Sequence, residues 1–320
     1  MNNLNKISVI IFSYKRAILL ESCIDSIIKN CNNINFPINV IYRYDSNHHK
    51  SYLKIKKIYG EKVKIWKRNN VNILWNLVLF LRPLNLIWAI KWIKIITSYS
   101  NFKKIFEKIL TKLSSPFVML CTDDTIFIKK NYVNYNILNL IKNDGKKKWF
   151  RPNFGLDIYN SKKIKYINNN RNITWKATDE NISFFMKYNF QIEGSIYNRL
   201  SLLKFVKPFI YYNPTTLEAI GYKEAKYRKY FNEMIAPLTR SALTLELNSV
   251  QTDTKLRLND RPQFNAEHLA KCFLKGYKLR FKLNKKYIKF INEFGNKRAI
   301  PKKLFLKFKN KKKEISKITF

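Results

Sequence analysis

The sequence predicts an α/β fold with a mostly parallel central sheet flanked by helices, and three observations lead there. Short apolar runs rich in β-branched residues stand at 7–12 (ISVIIF), 38–42 (INVIY) and 117–121 (FVMLC), the pattern of strands buried on both faces. Helical periodicity fills intervals between them, so that strand and helix alternate as in a doubly wound sheet. Polar residues, acids among them, follow directly on these runs. That is the edge at which open α/β sheets bind ligands.

In chain order, 7–12 is the first strand and 13–16 (SYKR) a loop. Residues 17–30 form a helix whose Leu20, Cys23, Ile24, Ile27 and Ile28 make one packing stripe. Residues 38–42 are the second strand, followed by the turn chemistry of Asp45, Ser46 and Asn47. A helix is expected over 52–59 and a third strand over 63–66. Residues 71–96 are strongly apolar but broken by Arg82, Pro83, Asn85, Lys91 and Lys94, short of the roughly 18–20 apolar residues of a bilayer span. They read as a pair of buried or groove-lining helices broken at Pro83, with an interfacial membrane helix as the alternative. After the interior strand 117–121 a helix is expected over 132–142. Further strands are expected within 149–158 and 182–192, with an Asn-rich loop around 168–172. Asn213 followed by Pro214 marks a helix start, and 265–274 is a last helix. Residues 1–250 are taken as the main domain, split near 130, and 251–320 as a helical, lysine-rich extension.

Composition sets limits on function. A hydrophobic fraction of 46%, with 23 Phe and 19 Tyr, supplies a core and excludes a disordered chain. Lys and Arg number 62 against 21 acids, a formal charge of +41, so the surface must attract anions: nucleic acid, an anionic membrane face or an anionic substrate. The lysines are spread along the whole chain, amid Asn, Ile, Tyr and Phe, which also fits a coding bias. No recognisable nucleic-acid module is present, and no specific nucleic-acid partner is expected. Four cysteines without paired spacing suggest neither a disulfide framework nor a zinc site, and fit a reducing cytoplasm. The polar start of the chain lacks the layout of a signal peptide. With seven glycines and no phosphate-cradling glycine motif, a Rossmann cofactor site or a Walker-type ATPase is excluded.

The chemistry-bearing residues are few. Asp123 and Asp124 follow the most clearly interior strand, where hard carboxylate oxygens suit Mg²⁺ or Mn²⁺ bridging a diphosphate. A solvated turn is the plain alternative. Asp45 ends the second strand on the same edge, either to accept hydrogen bonds from a base or ribose or to make an Asx turn. His48 and His49 read as loop residues, and Arg16, Arg68 and Arg151 as cations able to meet phosphate.

The segment ISVIIFSYKR (7–16), with Leu19, Leu20 and the CIDSI run at 23–27, resembles the opening of family-2-like GT-A glycosyltransferases. Tyr44-Asp45-Ser46 is similar to that family's Asp-Asp-Gly-Ser element without its first Asp and its Gly. Thr122-Asp123-Asp124 is similar to the metal-binding DXD motif with its first acid replaced. The resemblance covers about the first 130 residues and implies a GT-A fold. It implies a nucleotide-diphosphate sugar as donor, held through Ser13, Tyr14, Arg16, Asp45 and Asp123, with a divalent metal at Asp124 and Asp123. Further on, Glu193-Gly194-Ser195 with 197–199 looks like the segment lining the donor and acceptor sites. The run 213–218 looks like the acceptor-side helix where related enzymes place an acidic base. Glu218 is then the first candidate base, Glu193 the second and Asp179-Glu180 a third, although a first-turn acid such as Glu218 also complements a helix dipole. The implied activity is inverting transfer to a saccharide or glycolipid in cell-surface polysaccharide synthesis, in the cytoplasm or at the inner membrane face. An inactive GT-A-like domain, a basic anion-binding protein and a nucleotidyltransferase are the competing expectations.

Overall fold

The computed structural model describes residues 5–69, 101–130, 133–158, 162–169, 171–180, 182–245, 265–282, 303–308 and 311–317. The strands are β1 (Ile7–Ser13), β2 (Ile34–Arg43), β3 (Val63–Arg68), β4 (Phe117–Thr122), β5 (Thr125–Phe127), β6 (Lys148–Phe150), β7 (Lys165–Ile167), β8 (Asn172–Lys176), β9 (Ser195–Asn198), β10 (Glu233–Pro237) and β11 (Ala242–Thr244). The helices are α1 (Ala17–Asn30), α2 (Ser46–Tyr59), α3 (Phe102–Lys112), α4 (Tyr135–Asn143), α5 (Phe184–Lys187), α6 (Arg199–Val206), α7 (Pro214–Tyr227) and α8 (Ala266–Leu274). Residues beyond α8 add β12 (Tyr277–Lys282), β13 (Lys303–Phe308) and β14 (Lys311–Lys317).

Nine strands form the main sheet in the order β3-β2-β1-β4-β9-β6-β10-β8-β7. The α/β class is as expected. The parallel arrangement holds over β3, β2, β1 and β4. Beyond β4 the sheet turns mixed: β9 runs antiparallel between β4 and β6, β10 returns parallel to β6, and β8 and β7 are antiparallel again. These later strands are three to five residues long, too short to show a period in the sequence.

Alternation along the central strands sorts their side chains into two cores. Ile7, Val9 and Ile11 of β1 join Phe117, Met119 and Cys121 of β4 beneath α1, α2 and α4. Ile10 and Phe12 join Val118 and Leu120 on the other face, with α3, α6 and α7. Because both faces are covered, the strands read as nearly continuous apolar runs, and each fully buried Ile or Phe contributes about 1.5–3 kcal/mol.

Three local expectations are corrected. Helix α2 begins at Ser46 rather than near residue 52, because the Asp45 carboxylate accepts the Asn47 N–H as its N-cap. The strand expected within 149–158 is confined to Lys148–Phe150, the rest being turns. Within 182–192 there is no strand; Ser183 caps the short α5, and the strand comes later, at Ser195–Asn198.

The stretch beyond 250 is less helical than expected: its described part holds α8 and a three-stranded antiparallel sheet. Its first segment packs on the opening half of the chain. Leu269, Phe273 and Leu279 share a core with α1, Lys278 Nζ lies 2.8 Å from the buried Glu21 carboxylate, and Lys54 Nζ donates to the Phe273 and Leu274 carbonyls. Among the described residues no helix is long and apolar enough to cross a membrane. Both readings of residues 71–96 lie outside the described residues.

Candidate active site at the carboxyl edge of the parallel strands

Parallel register brings the ends of β1, β2 and β4 to one edge, with Phe12 opposite Thr122 and Ser13 opposite Tyr42. The turn between β4 and β5 places Asp123 there, its N–H donating to the Phe12 carbonyl at 3.0 Å. Asp123 Oδ2 accepts the Ser13 hydroxyl at 2.7 Å and the Tyr14 N–H at 3.2 Å. Arg16 Nη1 lies 3.4 Å from Asp123 Oδ1 and donates to Asp124 Oδ2 at 2.5 Å. Four of the residues expected at the donor site, with Asp124, thus form one connected network.

Burial pushes the Asp123 carboxyl up to about 6; the Arg16 cation opposes this and the neighbouring Asp124 adds to it. Burial also works against the Arg16 charge, but Asp123 and Asp124 outweigh it and hold its pKa above the ordinary value. The Ser13 hydroxyl is further tied to Tyr52 Oη at 2.7 Å.

Asp45 lies on the same edge but in a separate group. Its Oδ1 accepts from Asn47 N–H and meets His48 Nδ1 at 3.0 Å, and its Oδ2 lies 3.2 Å from Lys15 Nζ. Partial burial would raise this carboxyl, but His48 and Lys15 together hold it below the usual carboxylate range. Of the two readings of Asp45, the structure shows the turn: its carboxylate caps α2.

Sequence reasoning missed two cations that stand over rings at this edge, Arg43 and Lys67. The Arg43 guanidinium lies 4.3 Å from the centre of the Tyr14 ring, and Lys67 Nζ lies 3.5 Å from that of Tyr44. Arg43 ends β2 and Lys67 is the last residue but one of β3, so the edge rule alone could have found them. Arg68 has another role: it is buried and donates to the Tyr212 carbonyl.

A divalent ion fits this donor set narrowly. Both Asp123 oxygens face donors or Arg16, whereas Asp124 Oδ1 is buried and carries no hydrogen bond. Mg²⁺ needs as few as one or two protein carboxylates when phosphate and water complete its shell. Among the described residues no group of three or more His, Cys, Asp or Glu is placed to hold a metal.

The two candidate bases come together in a second cluster. The loop before β9 is anchored by Gly194, whose N–H donates to Leu120 O at 2.7 Å, which carries Glu193 alongside the end of β4. At φ +81°, with Pro152 and Phe127 at 3.1 and 3.2 Å from the place of a Cβ, this position requires glycine. Glu193 Oε2 accepts the side-chain amides of Asn153 at 3.0 Å and Gln191 at 2.9 Å. Glu218, in α7, accepts the Ile192 N–H at 3.4 Å. The helix itself starts with a capping box between Asn213 and Thr216, as the sequence suggested. Burial pushes the Arg151 guanidinium down to about 10, while Glu193, Tyr197, Glu218 and Tyr188 favour its charged form. Arg151 thus belongs to the acidic cluster and not to the Arg16 network. Asp179 only closes a turn on the Lys176 N–H, and Tyr197 and Arg199 serve the framework through Gln191, Ser115 and Leu110.

No protein-family model matches the chain, and no curated protein matches it. Solved structures give distant likenesses. Residues 1–349 of S. aureus TarS match at 13% identity over 74% of this chain and 59% of that one, with a TM-score of 0.39. GalNAc-T7, solved with UDP, GalNAc and Mn²⁺, matches at 12% identity over 75% of this chain and 45% of that one, with a TM-score of 0.38. A 4-diphosphocytidyl-2C-methyl-D-erythritol synthase from Anaerococcus prevotii matches at 10% identity over 72% and 86%, with a TM-score of 0.33. The chain thus spans 59% and 45% of the first two. At such scores the functional reading rests on this chain's own residues.

Proposed function

We propose that this chain is a glycosyltransferase that moves a sugar from a nucleoside-diphosphate donor to a hydroxyl of a saccharide or glycolipid. The observation that carries it is the network of Ser13, Tyr14, Arg16, Asp123 and Asp124 at the carboxyl edge of β1 and β4, on the edge strand β9 shares through the Glu193 loop. Tyr14 and Asp45, with the cations Lys15 and Arg43 beside them and Lys67 over Tyr44, suit a base, a ribose and a diphosphate. Arg16 supplies fixed positive charge where negative charge develops on the departing diphosphate. Mg²⁺ or Mn²⁺ held through Asp124, with Asp123 behind it, would add Lewis-acid neutralisation of the same charge.

In the proposed reaction Glu218 takes the proton of the acceptor hydroxyl, with Glu193 as the second candidate. The acceptor oxygen then bonds to the anomeric carbon as the bond to the diphosphate breaks, and the configuration inverts in that one displacement. A product of retained configuration in an NMR time course would exclude it. The role in cell-surface polysaccharide synthesis, at the cytoplasmic side of a membrane, follows from the sequence resemblance. A charge of +41 suits peripheral contact with anionic lipid.

The test is binding of UDP, GDP and dTDP, with and without Mn²⁺, to the native protein and to Asp124→Ala. Metal-dependent, nucleotide-selective binding that the substitution abolishes is the expected outcome. A folded protein that binds none of the three is an inactive GT-A-like domain or a charge-driven binder.

A further inference from the structure

Beside the acidic cluster lies a group of aromatic rings that the donor site does not use. Tyr188 and Tyr222 stack with centroids 4.5 Å apart and planes 16° from parallel, and Phe184 meets each of them at 6.1 Å. Phe184 is 60% exposed. The preceding Ser183 caps α5, which fixes the ring's place on the surface. Tyr222 stands one helical turn beyond Glu218, at the i,i+4 spacing that puts both on one face of α7. Burial raises the Tyr188 hydroxyl pKa, and the charges of Glu218 and Glu193 raise it further. The backbone carbonyl of Phe185 accepts from Arg151 at 2.6 Å, tying α5 to the same cluster. Gln191, whose amide nitrogen holds Glu193, keeps a buried Oε1 without a hydrogen bond.

We propose that Phe184, Tyr188 and Tyr222 form the acceptor platform, on which a pyranose ring of an oligosaccharide stacks beside Glu218; this rests on the transferase reading. The chemistry of a sugar ring matches the surface in two respects. Its axial C–H bonds present a weakly positive, apolar face to the negative faces of aromatic rings. Its hydroxyls, around the rim, meet the carboxylates of Glu193 and Glu218 and the amides of Asn153 and Gln191, an aromatic floor with a few convergent polar groups. An anionic membrane or a nucleic acid would instead be repelled by the two carboxylates. Lys187, exposed on α5, makes anionic lipid the alternative to be separated.

The test compares the native protein with Phe184→Ala, Tyr222→Ala and Tyr222→Phe, all checked for folding by circular dichroism. Three ligand sets are used: hexasaccharides of glucose, galactose and N-acetylglucosamine; phosphatidylglycerol vesicles; and UDP, GDP and dTDP. At least one hexasaccharide should bind, and each alanine change should weaken it about fivefold, while Tyr222→Phe keeps native affinity. Nucleotide and vesicle binding should be unchanged in all variants. The platform is overturned if no hexasaccharide binds, if the alanine variants bind as the native protein does, or if they lose vesicles instead. Failure of nucleotides to bind the native protein would sink the donor reading separately, and the hexasaccharides would still decide the platform.

Discussion

Arg16 donates to the Asp124 carboxylate at 2.5 Å across 108 residues of sequence. The same nitrogen lies 3.4 Å from Asp123, so one guanidinium faces two adjacent buried acids. Burial works against ionising Asp123 and the neighbouring Asp124 adds to that effect, while the Arg16 cation opposes it.

Removing that cation should therefore cost stability as well as binding. Arg16→Met is expected to lower the unfolding free energy by about 3 kcal/mol, the scale for leaving a buried charge uncompensated. Adding Asp124→Asn should recover part of it. Urea unfolding of both variants checks this, and a loss below about 1 kcal/mol would mean that water already solvates the acids.

Glu218 and Glu193 can be separated by kinetics. Replacing the general base by its amide should reduce kcat by about 10²–10⁴ with little change in nucleotide affinity. Glu218→Gln is expected to show this loss. Steady-state rates and nucleotide titrations on Glu218→Gln and Glu193→Gln decide which carboxylate takes the proton.

Asp45 should show a pH-dependent contribution with a definite sign. Its carboxyl is held below the usual range, so its ionised form stabilises the fold above the unfolded-state pKa, and that stability is lost as pH falls through the depressed value. Asp45→Asn keeps an oxygen to cap α2 but loses the charge facing Lys15 and His48. Unfolding curves of native and variant protein should differ near pH 7 and converge once the pH has fallen below the depressed value. A constant difference across that range would show that the cap, and not the charge, carries the effect.

Gly221 faces Phe190 so closely that an added Cβ would lie 2.4 Å from the ring. Gly221→Ala must push α7 or Phe190 aside, at about 1–3 kcal/mol, despite alanine's better helix propensity. Since α7 carries Glu218 and Tyr222, thermal unfolding should show the loss and transfer rates should fall with it. A rise in melting temperature would mean that Phe190 moves freely.

The first half was legible because its signals are local and strong. Residues 7–12 and 117–121 are buried on both faces, so their runs are apolar but for Ser8, and each ends in residues whose chemistry is plain. Of the later strands only β6 was legible, within 149–158; β9 and β10 were not, because they gain their place from pairing with distant partners. The segment 182–192 looked like strand by its apolar content, yet the Ser183 cap turned its start into a helix. Asp45 was readable as a turn acid, but capping α2 depended on a helix that starts six residues earlier than its apolar stripe suggested.

By itself, the sequence determined the α/β class, the order of the first strands and the identity of the residues at their ends, because hydrophobic periodicity and turn chemistry act between near neighbours. Only tertiary structure decided that the sheet becomes mixed beyond β4, that Arg16 joins Asp123 and Asp124, and that Glu193 and Glu218 come together with Arg151 near the half-buried Tyr188 and Tyr222. Those relations span tens to hundreds of residues, and at that range strand pairing and burial, not local pattern, select which side chains meet.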